Sequence, residues 1–345
     1  MDEKFMELAI EEARKGEGLV NPNPLVGAVI VKNGKILSTG YHEYFGGRHA
    51  EIVAIENAKK MGYDIKGAEI YVTLEPCVHY GKTPPCTDRI IREGFSAVYI
   101  GTLDPNPMVH GKGEEKLKNA GICVKHGILE AKAKELIEVF AKYMKTKMPF
   151  VALKLAMSLD GFITSMRGKR ERITSDRARE KVHRLRNYYS AIMIGSKTAI
   201  SDDPLLTCRY SFCKRNPIRI ILDRSGKTAK VNLKLFAQEG RTIIFTSSNE
   251  RWPENVEVIR KDDLSPEPIL KALGKMGIDS VLVEGGANVA SQFINYADKI
   301  HLFYAPIAFG NGLSPFDRKF KGFTTKRVEV YHPDIYWELI PCSQV

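Results

Sequence analysis

Short apolar stretches recur along this chain, and most are followed by a segment of helical periodicity. GAVIV, AEIYVTL (68–74) and SAVYIGT (96–102) are spaced this way in the first half. FVALKLAMS, AIMIGS (191–196), IRIILD (218–223), TIIFTS (242–247), SVLVEGG (280–286) and KIHLFYAPI (299–307) continue the series in the second. Helices are expected over 2–15, from His49, from about Pro85, over EEKLKNAG, over about 130–145, and at about 176–189, 265–276 and 287–296. Asn33-Gly34 between two apolar runs signals a two-residue hairpin. Strands alternating with helices predict a three-layer α/β domain in the first half and a second α/β domain after it.

At 345 residues the chain is too long for one comfortable core. The pattern and the charge balance both change near Met148-Pro149, so two α/β domains are expected, 1–147 and 148–345. The net charge of +11 divides as +1 before that boundary and +10 after it. Much of the excess lies in RGKRERITSDRAREKVHRLR, Arg167 to Arg186, which reads either as a solvated helical face or as a site for an anionic ligand. Aromatic residues do not interleave these basic ones until Tyr188 and Tyr189, which argues against single-strand nucleic-acid binding. No apolar run reaches membrane-spanning length, and MDEKFMELAIEEARKG does not resemble a signal peptide. Six widely spaced cysteines fit a reduced, cytoplasmic setting without a disulfide framework.

One helix opens with chemistry. RHAEIVAIENA carries His49 and Glu51 in front of an apolar stripe, and by itself this is an ordinary first turn. Downstream, EPCVHYGKTPPCTD places Cys77 on a loop and Cys86 at a helix start. One imidazole and two thiolates make a tetrahedral zinc set with one position open for water, one zinc per chain. Glu51, two residues from His49, is placed to lean over that position as the proton carrier, with the metal making hydroxide from water. The alternative is a structural zinc with His79 as fourth ligand. His79 and Lys82, on the loop joining the two cysteines, read either as substrate contacts or as surface polar residues. Lys82 suits a phosphate and His79 a ring heteroatom.

His49-Ala-Glu51, Pro-Cys77, HYGKTPPC and DPNPMVHGKG together resemble the bifunctional deaminase–reductases of riboflavin biosynthesis, the RibD family. The resemblance continues through KLAMSLDGFI, ITS, VHRLR, GSKTAISDDPLLTCR, RIILDRSG and VEGGANVASQF, nearly the whole chain. It implies a cytidine-deaminase-like three-layer α/β/α domain followed by a dihydrofolate-reductase-like α/β domain. The first would deaminate a diaminopyrimidinone carrying a ribosylamino phosphate. The second would use NADPH to reduce the ribosyl group to a ribityl chain. The resemblance assigns Asn23 and His42 to the pyrimidine substrate. It assigns Ala156, Thr198, Asp202 and the Gly286 region to NADPH, and Arg186, Leu206, Arg209 and Glu284 to the sugar-phosphate substrate. Family members associate, which implies at least a homodimer.

The residues add two points to the second site. Gly285-Gly286 and Gly195-Ser196 each stand between a strand and a helix, where backbone N–H groups suit a phosphate, although the full dinucleotide fingerprint is absent. Where the family commonly has Ser-x-Trp before Ile-Thr-Ser, this chain has Arg170-Glu171-Arg172. Arg172 is placed to reach the cofactor's 2′-phosphate, and Arg186 to hold the substrate phosphate bidentately. The rival reading is a nucleic-acid base deaminase with a basic second domain. It shares the zinc site and needs no nucleotide cofactor.

Overall fold

Asn33 and Gly34 take φ of 53° and 72°, the pair of positive values that a two-residue hairpin turn requires. They join β1 (Gly27–Lys32) to β2 (Lys35–Tyr41), antiparallel from Gly27↔Tyr41 to Lys32↔Lys35. The structure, a computed structural model, describes residues 2–80, 84–107, 109–166, 171–316 and 322–342. It divides into two compact units, Met1–Lys147 and Met148–Val345.

In the first unit α1 (Glu3–Arg14) precedes the hairpin. Then come α2 (Ala50–Lys60), β3 (Glu69–Leu74), α3 (Cys86–Glu93), β4 (Ala97–Thr102), α4 (Lys112–Asn119), β5 (Cys123–His126), α5 (Glu130–Leu136) and α6 (Glu138–Thr146). The sheet order is β2-β1-β3-β4-β5. On one face Ala28, Ile30, Ile70, Val72, Val98 and Ile100 pack against Ala54 and Ile55 of α2, Ile90 of α3 and Leu117 of α4. On the other, α1 comes so close to β1 that a Cβ on Gly27 would lie 1.9 Å from the Ala9 carbonyl oxygen. The helix expected over 130–145 breaks in two at Ile137.

The second unit runs β6 (Phe150–Ser158), α7 (Asp176–Tyr188), β7 (Ala191–Gly195), α8 (Ser196–Asp202), β8 (Ile218–Leu222), β9 (Thr242–Thr246), β10 (Glu257–Arg260) and α9 (Pro266–Lys275). It ends with β11 (Ser280–Val283), α10 (Ala287–Phe293), β12 (Lys299–Ala305), β13 (Phe323–Tyr331) and β14 (Asp334–Pro341). Nine strands form one sheet in the order β10-β9-β8-β7-β11-β6-β12-β14-β13. The pairs are parallel up to β12, and β14 and β13 add antiparallel. Three of these elements, β10, β13 and β14, go beyond the sequence-based expectation.

Unit one depends on close approach of α2 to its sheet, because α2 begins at the candidate metal site. A Cβ on Gly40 would lie 2.4 Å from the Ala54 nitrogen and 2.6 Å from the Ala50 carbonyl oxygen. Gly40→Ala therefore has to push α2 away, and we expect a loss of about 1–3 kcal/mol, the usual range for overpacking. The urea midpoint of the first unit checks this.

Candidate metal centre and candidate cofactor cavity

His49 is the N-cap of α2, with extended backbone (φ −71°, ψ 155°). Cys86 is the first residue of α3, whose N-cap is Pro85. Cys77 lies on the loop after β3, and the start of α3 holds that loop in place. Cys86 N–H donates to Cys77 Sγ (3.3 Å), and the Thr87 N–H and hydroxyl donate to the Cys77 carbonyl at 3.3 and 3.1 Å. His49 Nδ1 lies 3.2 Å from Cys86 Sγ and 3.5 Å from Cys77 Sγ. Tetrahedral bonds of about 2.0–2.3 Å need donors spaced at roughly these distances, so the residues fit zinc. The three-donor cluster comprises His49, Cys77 and Cys86 and leaves out His79, which is exposed on the loop. Lys82 lies outside the described residues.

Electrostatics point the same way. Hydrogen bonding from Cys86 and from His49, working against burial, brings the Cys77 thiol down to about 4. The Cys77 hydrogen bond raises His49 to about 9, and Cys77 together with burial pushes the Cys86 thiol up. The cluster thus retains protons that a divalent cation would displace on binding. Glu51 is buried, with its carboxyl against Cys86, and burial raises its pKa. A carboxyl that holds its proton to higher pH is suited to proton transfer.

Beside the cluster, His42 Nδ1–H donates to the Arg48 carbonyl (2.9 Å), leaving Nε2 to accept from the Asn23 amide (3.1 Å). The His42 and His49 rings meet edge to face at 5.9 Å. Asn23 and His42 are therefore brought to the metal cluster from 26 and 7 positions before His49. Glu75 is a participant that the sequence reading missed. Its buried carboxylate accepts from Asp104 and Gly111 N–H (3.0 Å each), Gly113 N–H (2.8 Å) and Glu114 N–H (3.3 Å). It binds the loop after β4 and the first turn of α4 to the loop carrying Cys77.

In the second unit Ala156, Arg172, Arg186, Thr198, Asp202, Leu206, Arg209, Glu284 and Gly286 line one cavity of ≈ 1560 Å³. That is room for a dinucleotide and a second ligand. Gly286 N–H donates to Thr198 Oγ1 (3.3 Å), tying the two strand-to-helix junctions together. A Cβ on Gly285 would lie 2.6 Å from Val289 Cβ, so glycine is required there. Arg172 pairs with Asp176 at 2.6 Å, and Arg167 to Arg170 lie outside the described residues.

Arg186 and Glu284 hold each other. Nε and Nη2 of the arginine donate to the two carboxylate oxygens at 2.8 and 2.9 Å, and Nη1 donates to the Thr207 carbonyl (3.1 Å). The fork expected to grip a phosphate is closed on a carboxylate instead. Lys154 Nζ stands 3.7 Å from the same carboxylate. A lysine inside the apolar run FVALKLAMS was the available sequence signal for this third member. Burial would raise Glu284, but Arg186 and then Lys154 bring it down to about 2. Arg209 donates to Thr207 Oγ1 (2.8 Å), and among the described residues it has no carboxylate partner. Cys208 and Cys213 form a disulfide, which corrects the expectation of a chain without one.

Residues 1–102 match the cytidine and deoxycytidylate deaminase zinc-binding region, and residues 149–337 match the RibD C-terminal domain. The riboflavin biosynthesis protein RibD of Aquifex aeolicus is 42% identical over 321 residues, 91% of this chain and 89% of that one. A diaminohydroxyphosphoribosylaminopyrimidine deaminase/5-amino-6-(5-phosphoribosylamino)uracil reductase from Thermotoga maritima superposes with a TM-score of 0.94 at 49% identity. It covers 99% of this chain and 98% of its own. Acinetobacter baumannii RibD superposes with a TM-score of 0.87 at 34% identity, covering 98% of both chains.

Two measurements test these sites. The wild-type chain should carry one zinc, and Cys86→Ala should lose it on metal analysis, since two protein donors hold zinc poorly. Retention of tightly bound metal would refute the ligand set. Glu284→Gln should cost about 3 kcal/mol or more at neutral pH by leaving Arg186 buried without its charge partner. The folded-state pKa of Glu284 is depressed, so its contribution is present above its ordinary 4.5 and fades as pH falls toward about 2. The gap in urea midpoint between wild type and variant should therefore narrow on acidification.

Proposed function

Because this chain belongs to the RibD family of bifunctional riboflavin-biosynthesis deaminase–reductases, we propose a division of labour between its two sites. The first half deaminates a diaminopyrimidinone carrying a ribosylamino phosphate. The second reduces the ribosyl group to a ribityl chain with NADPH. The observation that carries this reading is a buried Glu51 carboxyl beside a three-donor metal cluster. Zinc, when bound, supplies the Lewis acidity that makes water nucleophilic near neutral pH. With zinc bound, Glu51 would take one proton from the attacking water and pass it to the ring nitrogen, then carry the remaining hydroxyl proton to the departing amine. Asn23 and His42 orient the pyrimidine, His79 pairs with a ring heteroatom, and Lys82 serves the substrate phosphate.

In the second half, Ala156, Thr198, Asp202 and Gly286 border the nicotinamide nucleotide, with Arg172 toward its 2′-phosphate. Leu206 and Arg209 face the substrate, and Arg209 takes the phosphate because the Arg186 fork is filled by Glu284. The Arg186–Glu284 pair frames the sugar. Hydride transfer needs positioning more than acid/base help. NADPH supplies the hydride when bound.

No helix among the described residues is long and apolar enough to cross a membrane. Small molecules are the substrates, nucleic acid is not a partner, and the enzyme works in the cytoplasm as at least a dimer. Support for self-association comes from the β13–β14 ribbon, where Val328, Val330 and Ile335 are exposed.

Incubation with the diaminopyrimidinone substrate, with and without NADPH, tests the assignment by product mass. The deaminated product should form without NADPH and the ribityl product only with it. Glu51→Gln should keep its zinc and lose deamination by about 10²–10⁴-fold, while reduction of supplied deaminated intermediate persists. Near wild-type deamination in that variant would reduce Glu51 to an ordinary first-turn residue.

A further inference from the structure

Between α8 and β8 the chain makes a loop closed by the Cys208–Cys213 disulfide, with Cα atoms 5.7 Å apart. Several contacts tie this loop to α7, among them the Arg184 guanidinium over the Phe212 ring at 4.2 Å. Arg209 N–H donates to His183 Nδ1 (3.2 Å), and Lys214 N–H donates to Asn187 Oδ1 (3.0 Å). The Tyr210 ring packs on His183 with centroids 4.9 Å apart. Cys208 N–H donates to Asn216 Oδ1 (3.1 Å), and Cys213 Sγ accepts from Tyr210 N–H (3.2 Å). Arg209, the residue after Cys208, lines the cavity, while Arg209, Tyr210 and Ser211 are exposed. Cys208 and Cys213 are themselves only half-buried, and their disulfide closes the segment that carries Arg209, which has no carboxylate partner among the described residues.

We infer that Cys208 and Cys213 form a thiol–disulfide site, open to exchange with low-molecular-weight disulfides and thiols, whose state sets how firmly Arg209 is presented to an anionic substrate. The inference rests on the assignment of the substrate phosphate to Arg209. Oxidation proceeds by two exchanges. One cysteine thiolate attacks a sulfur of the external disulfide, expelling one thiol and leaving a mixed disulfide. The other cysteine thiolate then attacks the protein sulfur of that bond, forming Cys208–Cys213 and expelling the second thiol. Two electrons and two protons pass from the cysteine pair to the two released thiols. With the bridge closed, Arg209 is ordered before substrate arrives. With it open, substrate must order the segment on binding, and affinity falls. Such an effect acts on binding, so it separates in KM rather than kcat.

The test uses the full chain, oxidised with glutathione disulfide or reduced with a phosphine, with free thiols counted by alkylation and mass. On reduction, KM for the deaminated phosphate substrate should rise roughly three- to tenfold, the range for ordering one long side chain and its loop. The KM for NADPH, the bound zinc and the deamination rate should stay the same. Cys213→Ser, or Cys208→Ser if the first folds poorly, should match the reduced enzyme under both conditions. Equal KM in the two redox states would overturn the inference, as would two freely alkylated thiols at 208 and 213 after oxidation. Arg209→Ala should raise KM and abolish its redox dependence. If Arg209→Ala leaves KM unchanged, the phosphate assignment falls and the inference with it. A redox-insensitive KM alongside a raised one in Arg209→Ala removes the inference alone.

Discussion

A carboxylate taken out of water must find donors, and Glu75 finds four backbone N–H groups, two on the loop after β4 and two in the first turn of α4. That loop follows β4, and Glu75 itself is two residues before Cys77. The sheet thus fixes Glu75, Glu75 fixes the neighbouring loop, and the Cys77 turn is held from both sides. The fit is close enough that a Cβ on Gly113 would lie 2.3 Å from the Pro76 carbonyl oxygen. A metal ligand on a loop is only as well placed as its supports, and these supports are hydrogen bonds to a charge.

The same requirement shapes the second unit through opposite means. Arg186 on α7 and Glu284 at the end of β11 are buried together, with Lys154 from β6 as the third charge. Three elements of the sheet and its cover are bound at the edge of the cavity by charges that would each be costly alone. His183, one turn before Arg186, is lowered to about 4 by burial and by the charges of Arg186 and Arg209. It stays a neutral acceptor for Arg209 N–H across the working range of pH. Positive charge gathered in this way favours an anion in the cavity and no further cation.

What sequence made legible was residue identity at positions where chemistry leaves few options. His49, Cys77 and Cys86 could be grouped because few residue types bind zinc, and the structure places their donors within contact of one another. Apolar strands could be read because burial demands Val and Ile. Elsewhere the signals were weak or absent. FTTKRVEVY, which forms β13, mixes charges with β-branched residues at the edge of the sheet, so no buried face marks it. The role of Glu75 depends on four amides, which every residue except proline carries. Arg186 and Glu284 are 98 positions apart, and both could be drawn to one site without any hint that they hold each other.

Sheet order also governs when each half can form. In the first unit β1 and β2, β3 and β4, and β4 and β5 are pairs of successive strands, and the widest pairing joins Ala28 to Val72. In the second, β6 is made first yet lies between β11 and β12, so Val151 waits for Val281, 130 positions later. Closing so long a loop carries an entropic cost that local pairing avoids, and high contact order slows folding. On a ribosome the first unit can collect its metal while the second is still being synthesised. During that interval the apolar residues of β6 are exposed without their neighbours. The burden of aggregation in this two-part enzyme thus falls on its reductase half, whose central strand is the first to be made and among the last to be covered.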